Sequence, residues 1–136
     1  MKIEGGLHDF TDISPIPPAE YELLIKDPIE VKKIEGESTD IGGTQYTFVL
    51  FVEVATGAFA GKRIRRQFSN KSKGSRYFMK SFMEKLGIAI SKDGAFSSED
   101  FLGRRFKATV GERMYKDKDN NEKKANELDT ESTKAL

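Results

Sequence analysis

The sequence predicts a mainly β domain of five strands, with one helix between the third and fourth strands. Apolar side chains alternate at period two in several short segments, and clusters of Gly, Asp and Asn separate these segments. Only residues 75–86 have the spacing of an amphipathic helix. The 136 residues suit one domain, for which we predict bounds of 15–129, with a flexible arm at 1–14 and a C-terminal tail at 130–136.

The first predicted strand follows a lead-in of prolines, which favours an extended backbone. Residues 21–25 alternate apolar and polar side chains, and the pattern resumes over residues 29–34. Asp27-Pro28 interrupts the strand. Because proline has no N–H to donate to a neighbouring strand, we expect a bulge or an edge position there. Residues 35–44 are rich in Gly, Ser, Thr and Asp and are predicted to form a loop.

Residues 45–55 carry the strongest strand pattern, with large apolar side chains on both faces. One face holds Tyr46, Phe48, Leu50, Val52 and Val54. The other face holds Thr47, Val49, Phe51 and Glu53. We expect Phe48 in the core, whereas Val49 and Phe51 belong either to a second apolar layer or to a binding surface. Because a threonine and a glutamate share its face, we favour a position at or near a binding groove for Phe51.

A glycine-rich turn at 56–61 leads to the third predicted strand, 62–69, which is too cationic to be buried on both sides. The predicted helix at 75–86 has an apolar stripe that we expect in the core, whereas Tyr77 lies off this stripe. The stripe consists of Phe78, Phe82 and Leu86. Gly87 stands where a left-handed helix C-cap is expected.

The last two predicted strands form a hairpin. Residues 97–100 have the pattern of a helix N-terminus, which predicts a short helix that ends at Gly103. The fourth strand is predicted at 104–116 and the fifth at 122–129, with a turn at 117–121 between them. The fifth strand is weakly apolar, which favours an edge position.

A helix between the third and fourth of five strands is the signature of the oligonucleotide-binding (OB) barrel, and we predict a five-stranded OB-fold barrel. In that architecture the second and third strands form the usual binding face, and the loops after the first and fourth strands flank it. Here these loops are residues 35–44 and 117–121. The basic third strand therefore falls where this fold would place a binding surface.

Positive charge is concentrated in residues 62–85, which hold nine Lys or Arg and one acid. This basic block carries a net +8 in a chain whose net charge is only +1. Aromatic side chains are interleaved with the cations. A single-stranded nucleic acid needs both, because its phosphates bind cations and its bases stack on aromatic rings. A solvated basic face with buried aromatic residues is the alternative interpretation of the same pattern.

We predict phosphate contacts from the cations of this block and base stacking from aromatic residues on or near it. The predicted phosphate ligands are Lys62, Arg63, Arg65, Arg66, Lys71, Lys73 and Arg76. The predicted stacking residues are Phe51 and Phe68, with Tyr46, Tyr77 and Tyr115 as further candidates.

The composition argues against catalysis, metal binding and secretion. The chain has no cysteine, and its single histidine, His8, lies in the predicted arm, so that catalytic and metal sites built on these residues are not expected in a monomer. The glycine turn before Arg63 is one residue short of a phosphate-binding loop. The turn at 117–121 lacks the glycine of a calcium loop. With no signal peptide and no run of membrane-span length, we expect a cytoplasmic protein that is not an enzyme and carries no cofactor.

The chain also resembles a family of small phage-encoded OB-fold proteins that are regarded as single-stranded-DNA-binding or replication-accessory proteins. The resemblance runs from residue 14 to residue 128 and depends on an ordered set of short motifs. These are Pro17-Pro18-Ala19-Glu20-Tyr21, Phe51-Val52-Glu53-Val54, Gly57-Ala58-Phe59-Ala60-Gly61-Lys62-Arg63, the helix up to Gly87, and Phe101-Leu102-Gly103-Arg104-Arg105-Phe106. Family members often have an aromatic residue near Arg65 and an acid near Arg66, where this chain has two arginines.

The residues and the resemblance together lead us to expect a sequence-tolerant single-stranded-DNA-binding protein that supports phage DNA replication or recombination. The alternative is an OB-fold interaction module whose basic face docks an acidic replication, recombination or host-defence protein. The sequence is compatible with RNA as well as DNA as the ligand, and with a monomer as well as a homo-oligomer.

Overall fold

Residues 15–136 are described by a computed structural model, in which seven strands form an open antiparallel sheet with one α-helix. The strands are β1 (Ala19–Leu24), β2 (Glu30–Ser38), β3 (Thr44–Val54), β4 (Arg63–Ser69), β5 (Arg105–Lys116), β6 (Glu122–Leu128) and β7 (Lys134–Ala135). Helix α1 is Lys73–Lys85, and short 3₁₀ helices cover Ser98–Phe101 and Thr130–Ser132. The predicted arm at 1–14 lies outside the described residues.

The mainly β prediction is confirmed, and the helix lies between β4 and β5. The described chain has seven strands instead of five for two reasons. Asp27-Pro28 divides the predicted first strand into β1 and β2. The segment predicted as a tail adds β7, which pairs with β5 through Phe106 and Ala135. The folded unit therefore continues past residue 129.

The sheet is organised around β3, which pairs with β2, with the end of β1 and with β4. Strand β1 continues the sheet through β5, which pairs in turn with β6 and β7. Strands β4 and β6 contact each other but are not paired within residues 15–136. The sheet therefore curls until its two ends meet and leaves an unpaired seam between them.

The division between β1 and β2 turns the chain from one neighbour to another. The N–H of Ile25 still bonds to the Arg104 carbonyl at 3.0 Å, which extends the pairing of β1 with β5. After Pro28, the N–H of Ile29 bonds to the Ser98 carbonyl at 3.2 Å, and β2 then pairs with β3. Ile25 and Ile29 are both buried and hold the two sides of the corner in the core.

The core lies on the inner side of the curled sheet. Phe48 lies opposite Phe68, and Val52 lies opposite Ile64, so that these side chains point to the same side. All four are buried, which agrees with the predicted core position of Phe48. The remaining inner side chains that are completely buried on β1, β3 and β5 are Leu23, Leu50, Phe106, Ala108 and Val110.

Helix α1 closes the core at one end of the sheet. Its N-terminus is capped by Ser72, whose hydroxyl accepts the N–H of Ser75 at 3.2 Å. The ring of Phe82 packs on Phe68 and on Phe106, with ring centroids 5.6 Å apart in both cases. The buried stripe is rotated from the predicted one. It consists of Met79, Phe82 and Met83, and Phe78 is 46% exposed, so the predicted core position of Phe78 is wrong.

The loop after β2 is anchored to the start of α1 by one carboxylate. Asp40 accepts the backbone N–H of Lys73 at 2.9 Å and a hydrogen bond from Arg76 Nη1 at 2.7 Å. The guanidinium of Arg76 also donates to the carbonyl of Asn70 at 3.0 Å. The hydrogen bond from Arg76 lowers the pKa of Asp40 below its ordinary value. Arg76 therefore fixes this loop to the helix.

Truncation of Phe48 to alanine should lower the free energy of unfolding by about 3–5 kcal/mol, because it leaves a cavity in a closely packed core. Phe51→Ala removes a ring of similar size from the other side of the same strand and should cost much less. Urea unfolding of the two variants compares the costs directly. A larger loss from Phe51→Ala would show that the two faces of β3 contribute to stability in the opposite order.

The carboxyl of Asp40 should titrate below the ordinary range for aspartate in an NMR experiment that follows its side-chain carbon. Arg76→Ala should raise this pKa, whereas Lys80→Ala, which removes a helix cation not bonded to Asp40, should leave it unchanged. Because the pKa is lowered by folding, this carboxylate stabilises the fold above its unfolded-state pKa. The contribution disappears as the pH falls through the folded-state pKa. An unchanged pKa in Arg76→Ala would assign the shift to the helix N-terminus alone.

Candidate nucleic-acid interface

The sheet surface on the other side from the core is polar and cationic where β3 meets β4. Phe51 lies opposite Arg65, Val49 opposite Gln67, and Glu53 opposite Arg63. Directly opposed residues point to the same side of a sheet, so these side chains share one surface. We call this surface the outer face. It consists of Thr47, Val49, Phe51, Glu53, Arg63, Arg65, Gln67 and Ser69, of which Val49 is only 4% exposed and is therefore a buried residue of this side.

Phe51 and Arg63 are in contact on the outer face. The guanidinium carbon of Arg63 lies 4.7 Å from the centroid of the Phe51 ring, which is within the range of a cation–π interaction. Nη2 of Arg63 also lies 2.9 Å from Oδ2 of Asp27, at the corner between β1 and β2. Phe51 is half-buried. The ring therefore belongs to a surface pair with a cation and remains outside the core.

Arg65 is the exposed cation at the centre of the outer face. Its Nη2 donates to Oε1 of Gln67 at 3.0 Å. Among residues 15–136, no carboxylate lies within ion-pair distance of its guanidinium. At the end of the face, Glu53 is paired with Lys26 at 2.6 Å. Arg65 is therefore placed to meet an external anion next to the Phe51 ring.

Lys32 is an outer-face cation that the sequence analysis missed. It lies opposite Thr47, which in turn lies opposite Ser69, so the three side chains form one row across β2, β3 and β4. Lys32 is exposed. The alternation of residues 29–34 contained this signal, since a lysine between inward positions of an antiparallel strand points away from the core.

Arg66 and Phe68 belong to the inner side of β4. Phe68 is only 4% exposed and is stacked on Phe82, so its predicted role in base stacking is wrong. The cause is the strand alternation, which places it opposite Phe48. Arg66 lies opposite Leu50, and its guanidinium lies 4.8 Å from the Phe68 ring centroid. Neither side chain is on the outer face.

The remaining predicted cations are divided between the outer face and the helix. Lys62 is half-buried and precedes β4 directly. Lys71 and Lys73 are exposed at the turn between β4 and the first turn of α1. Arg76 is occupied by its ion pair with Asp40. The basic block therefore forms two separate cationic regions.

The three candidate tyrosines lie apart from Phe51. Tyr46 is on the inner side of β3, where it lies opposite Lys33 of β2. Tyr77 is 62% exposed on α1 and packs edge-on against Phe78, with ring centroids 5.7 Å apart. Tyr115 is exposed on the β5–β6 hairpin, 5.8 Å below the guanidinium of Arg113. Among the predicted stacking residues, only Phe51 shares the outer face with cations of β4.

The hairpin turn at 117–121 agrees with its prediction. Oδ1 of Asp117 accepts the N–H groups of Asp119 and Asn121, both at 2.9 Å, which uses this carboxylate to form the turn. Within residues 15–136, no group of three or more His, Cys, Asp or Glu side chains is arranged to hold a metal ion. In the same part of the chain, no helix has the length and apolar character that a membrane crossing requires.

The sequence matches no protein-family model, and no curated protein is significantly similar to it.

Proposed function

We propose that the chain is a sequence-tolerant single-stranded-DNA-binding protein that supports phage DNA replication or recombination, and that the strand lies across the outer face. The observation that carries this proposal is the cluster of Phe51, Arg63 and Arg65. It places an aromatic ring and two guanidinium groups on a surface outside the core. Bases stack on aromatic rings and guanidinium planes, and phosphates bind the cations.

The strand pairing supports an OB-type architecture for this protein. If β1 and β2 are counted as one bent strand, strands one to five are β1–β2, β3, β4, β5 and β6. The pairs are then one with two, two with three, one with four, and four with five. Contact between β4 and β6 brings strand three beside strand five. The OB barrel is partly open, which is compatible with the unpaired seam.

The dimensions of the outer face suit a short stretch of single strand. The outward row of β4 from Arg63 to Ser69 spans six residue steps, or about 20 Å at the usual rise of a strand. One base stacked on Phe51 is worth about 1–3 kcal/mol. Such stacking does not depend on base identity, since every base has a flat face. Sequence tolerance follows from this mode of binding.

Docking of an acidic protein is the second candidate function, and the ion pairs of the face favour it. Asp27 already binds Arg63, and Glu53 binds Lys26. These contacts show that carboxylates fit the cations of this surface. A protein partner and a single strand differ in their need for Phe51, because only bases require a stacking platform.

Arg65→Ala should flatten the salt dependence of binding to oligothymidylate. Each neutralised phosphate contributes about −0.7 to the slope of log affinity against log salt for a single strand, so the loss of one contact should reduce the slope by about that amount. Fluorescence anisotropy at several salt concentrations measures it. Arg66→Ala is the matched control, because the neighbouring arginine points to the inner side. Equal slopes for wild type and Arg65→Ala would place the phosphates elsewhere.

Single strands should bind more tightly than duplex DNA of equal length at matched salt, because duplex DNA hides the base faces. Phe51→Ala should weaken single-strand binding by at least about 1 kcal/mol, which is about fivefold, and should leave duplex binding almost unchanged. Phe51→Tyr keeps a ring at the same place and should retain the affinity. Equal binding of both forms, or an unaffected Phe51→Ala variant, would leave only a generic basic patch and would favour the acidic protein partner.

A further inference from the structure

A concave surface lies on the other side of the sheet from Phe51, between α1, the ends of β2 and β3, and the segment after the helix. It is an open groove of about 1140 Å³. Its floor contains the inner side chains Tyr46 and Phe48, with Phe96 and the two buried methionines of α1 beside them. Ring centroids of Phe48 and Phe96 are 5.7 Å apart, and those of Tyr46 and Phe48 are 6.2 Å apart. The groove therefore has an aromatic floor.

The walls of the groove carry cations on several sides. Arg76 and Lys80 line it from α1, and Lys92 lines it from the facing segment. Lys33 of β2 is exposed and lies opposite Tyr46, but it does not itself line the groove. Aromatic rings beside cations are the combination that single-stranded nucleic acids require.

The two acids that line the groove are largely engaged by neighbours. Glu84 lies 4.0 Å from Lys80, one turn earlier on the helix. Asp93 accepts hydrogen bonds from the Ser91 hydroxyl and from the N–H of Ala95 within its own turn, which lowers its pKa. Lys92 has no carboxylate within ion-pair distance among residues 15–136. The lining residues thus carry three cations and two acids, a net charge of +1, and Arg76 is also paired with Asp40.

Ser69 connects this groove with the outer face. It is the last residue in the outward row of β4, opposite Thr47, and it also lines the groove. Lys71 and Lys73 follow directly at the exposed turn into α1. Ser69, Lys71 and Lys73 thus lie between the outer face and the groove. A polyanion that follows β4 from Arg63 passes Arg65, the polar residues Gln67 and Ser69, and then the two lysines at the edge of the groove.

We propose that this groove is a second subsite for the same single strand, in which a base packs on Tyr46 while Lys80 and Lys92 contact phosphates. The inference rests on the proposed function, because it extends the strand that crosses the outer face. In this arrangement a short oligonucleotide occupies the outer face alone. A longer one turns at Ser69 and also fills the groove.

Oligothymidylates of about 4 and about 16 nucleotides, the limits of the site sizes known for single OB folds, separate the two subsites. Fluorescence anisotropy should give a wild-type affinity about tenfold or more higher for the longer oligonucleotide, the effect of at least one further stacked base. Tyr46→Leu and Lys80→Glu should each remove most of this gain and leave the short oligonucleotide unaffected. Tyr46→Phe keeps the ring and should retain the gain.

The controls distinguish a local effect from unfolding and from net charge. Lys80 is exposed, so that Lys80→Glu should fold normally even if Tyr46→Leu does not. Lys124→Glu makes the same charge change on β6, away from the groove, and should retain most of the length gain. If Lys80→Glu and Tyr46→Leu both keep the full increase in affinity for the longer oligonucleotide, the groove is not a subsite for the strand. An acidic peptide would then be the better candidate ligand for the groove. If the wild-type protein binds neither the short nor the long oligonucleotide, the proposed function itself is overturned.

Discussion

The register between β3 and β4 is the constraint on which the rest of the structure depends. Side chains alternate along a strand, so the register that places Phe48 opposite Phe68 in the core also places Phe51 opposite Arg65 outside it. A slip by one residue on β4 would send Arg65 inward and Phe68 outward. Burial of an unpaired guanidinium costs several kcal/mol. Core packing and the composition of the outer face are therefore fixed by the same pairing.

Arg66 is a cation that the alternation of β4 places on the inner side of the sheet. It is half-buried, and its Nε is buried without a hydrogen-bond partner in the described chain. The side chain lies where β4 passes beside β6 without pairing, and it lines a small cleft together with Phe78 and Glu127. The guanidinium rests over the Phe68 ring, which is itself in the core. The unpaired seam thus gives the charged end of an inward arginine a route towards solvent.

The sequence was sufficient to predict the structural features that depend on local chemistry. Period two in residues 45–55 predicted the buried position of Phe48, and the missing N–H of Pro28 predicted the interruption of the first strand. The stripe of α1 was misplaced because Met79 and Met83 are as apolar as the residues chosen, so spacing alone could not fix the rotation of the helix. Strand β7 depends on backbone pairing with Phe106, which leaves no pattern in a segment of polar residues.

The candidate site was predictable only in part, because it also depends on contacts between residues that are far apart in the chain. Composition located the basic block, and alternation separated Arg65 from Phe68 in principle. Composition could not show that Arg76 is bound to Asp40, because those residues are 36 positions apart in the chain. Nor could it bring Lys32 of β2 into the same row as Thr47 and Ser69, since this depends on the register of two strand pairs.

The ion pairs of the outer face bear on how this surface would bind the proposed single strand. The pair of Arg63 with Asp27 is exposed, and exposed pairs contribute little to stability. Exchange of the Asp27 carboxylate for a phosphate therefore costs little. The Phe51 ring stays in contact with the guanidinium through this exchange, so Arg63 need not be ordered again when its anionic partner changes. In the proposed complex Asp27 thus acts as a placeholder for a phosphate: it offsets the charge of Arg63 before the strand binds and leaves Arg65 to attract the strand.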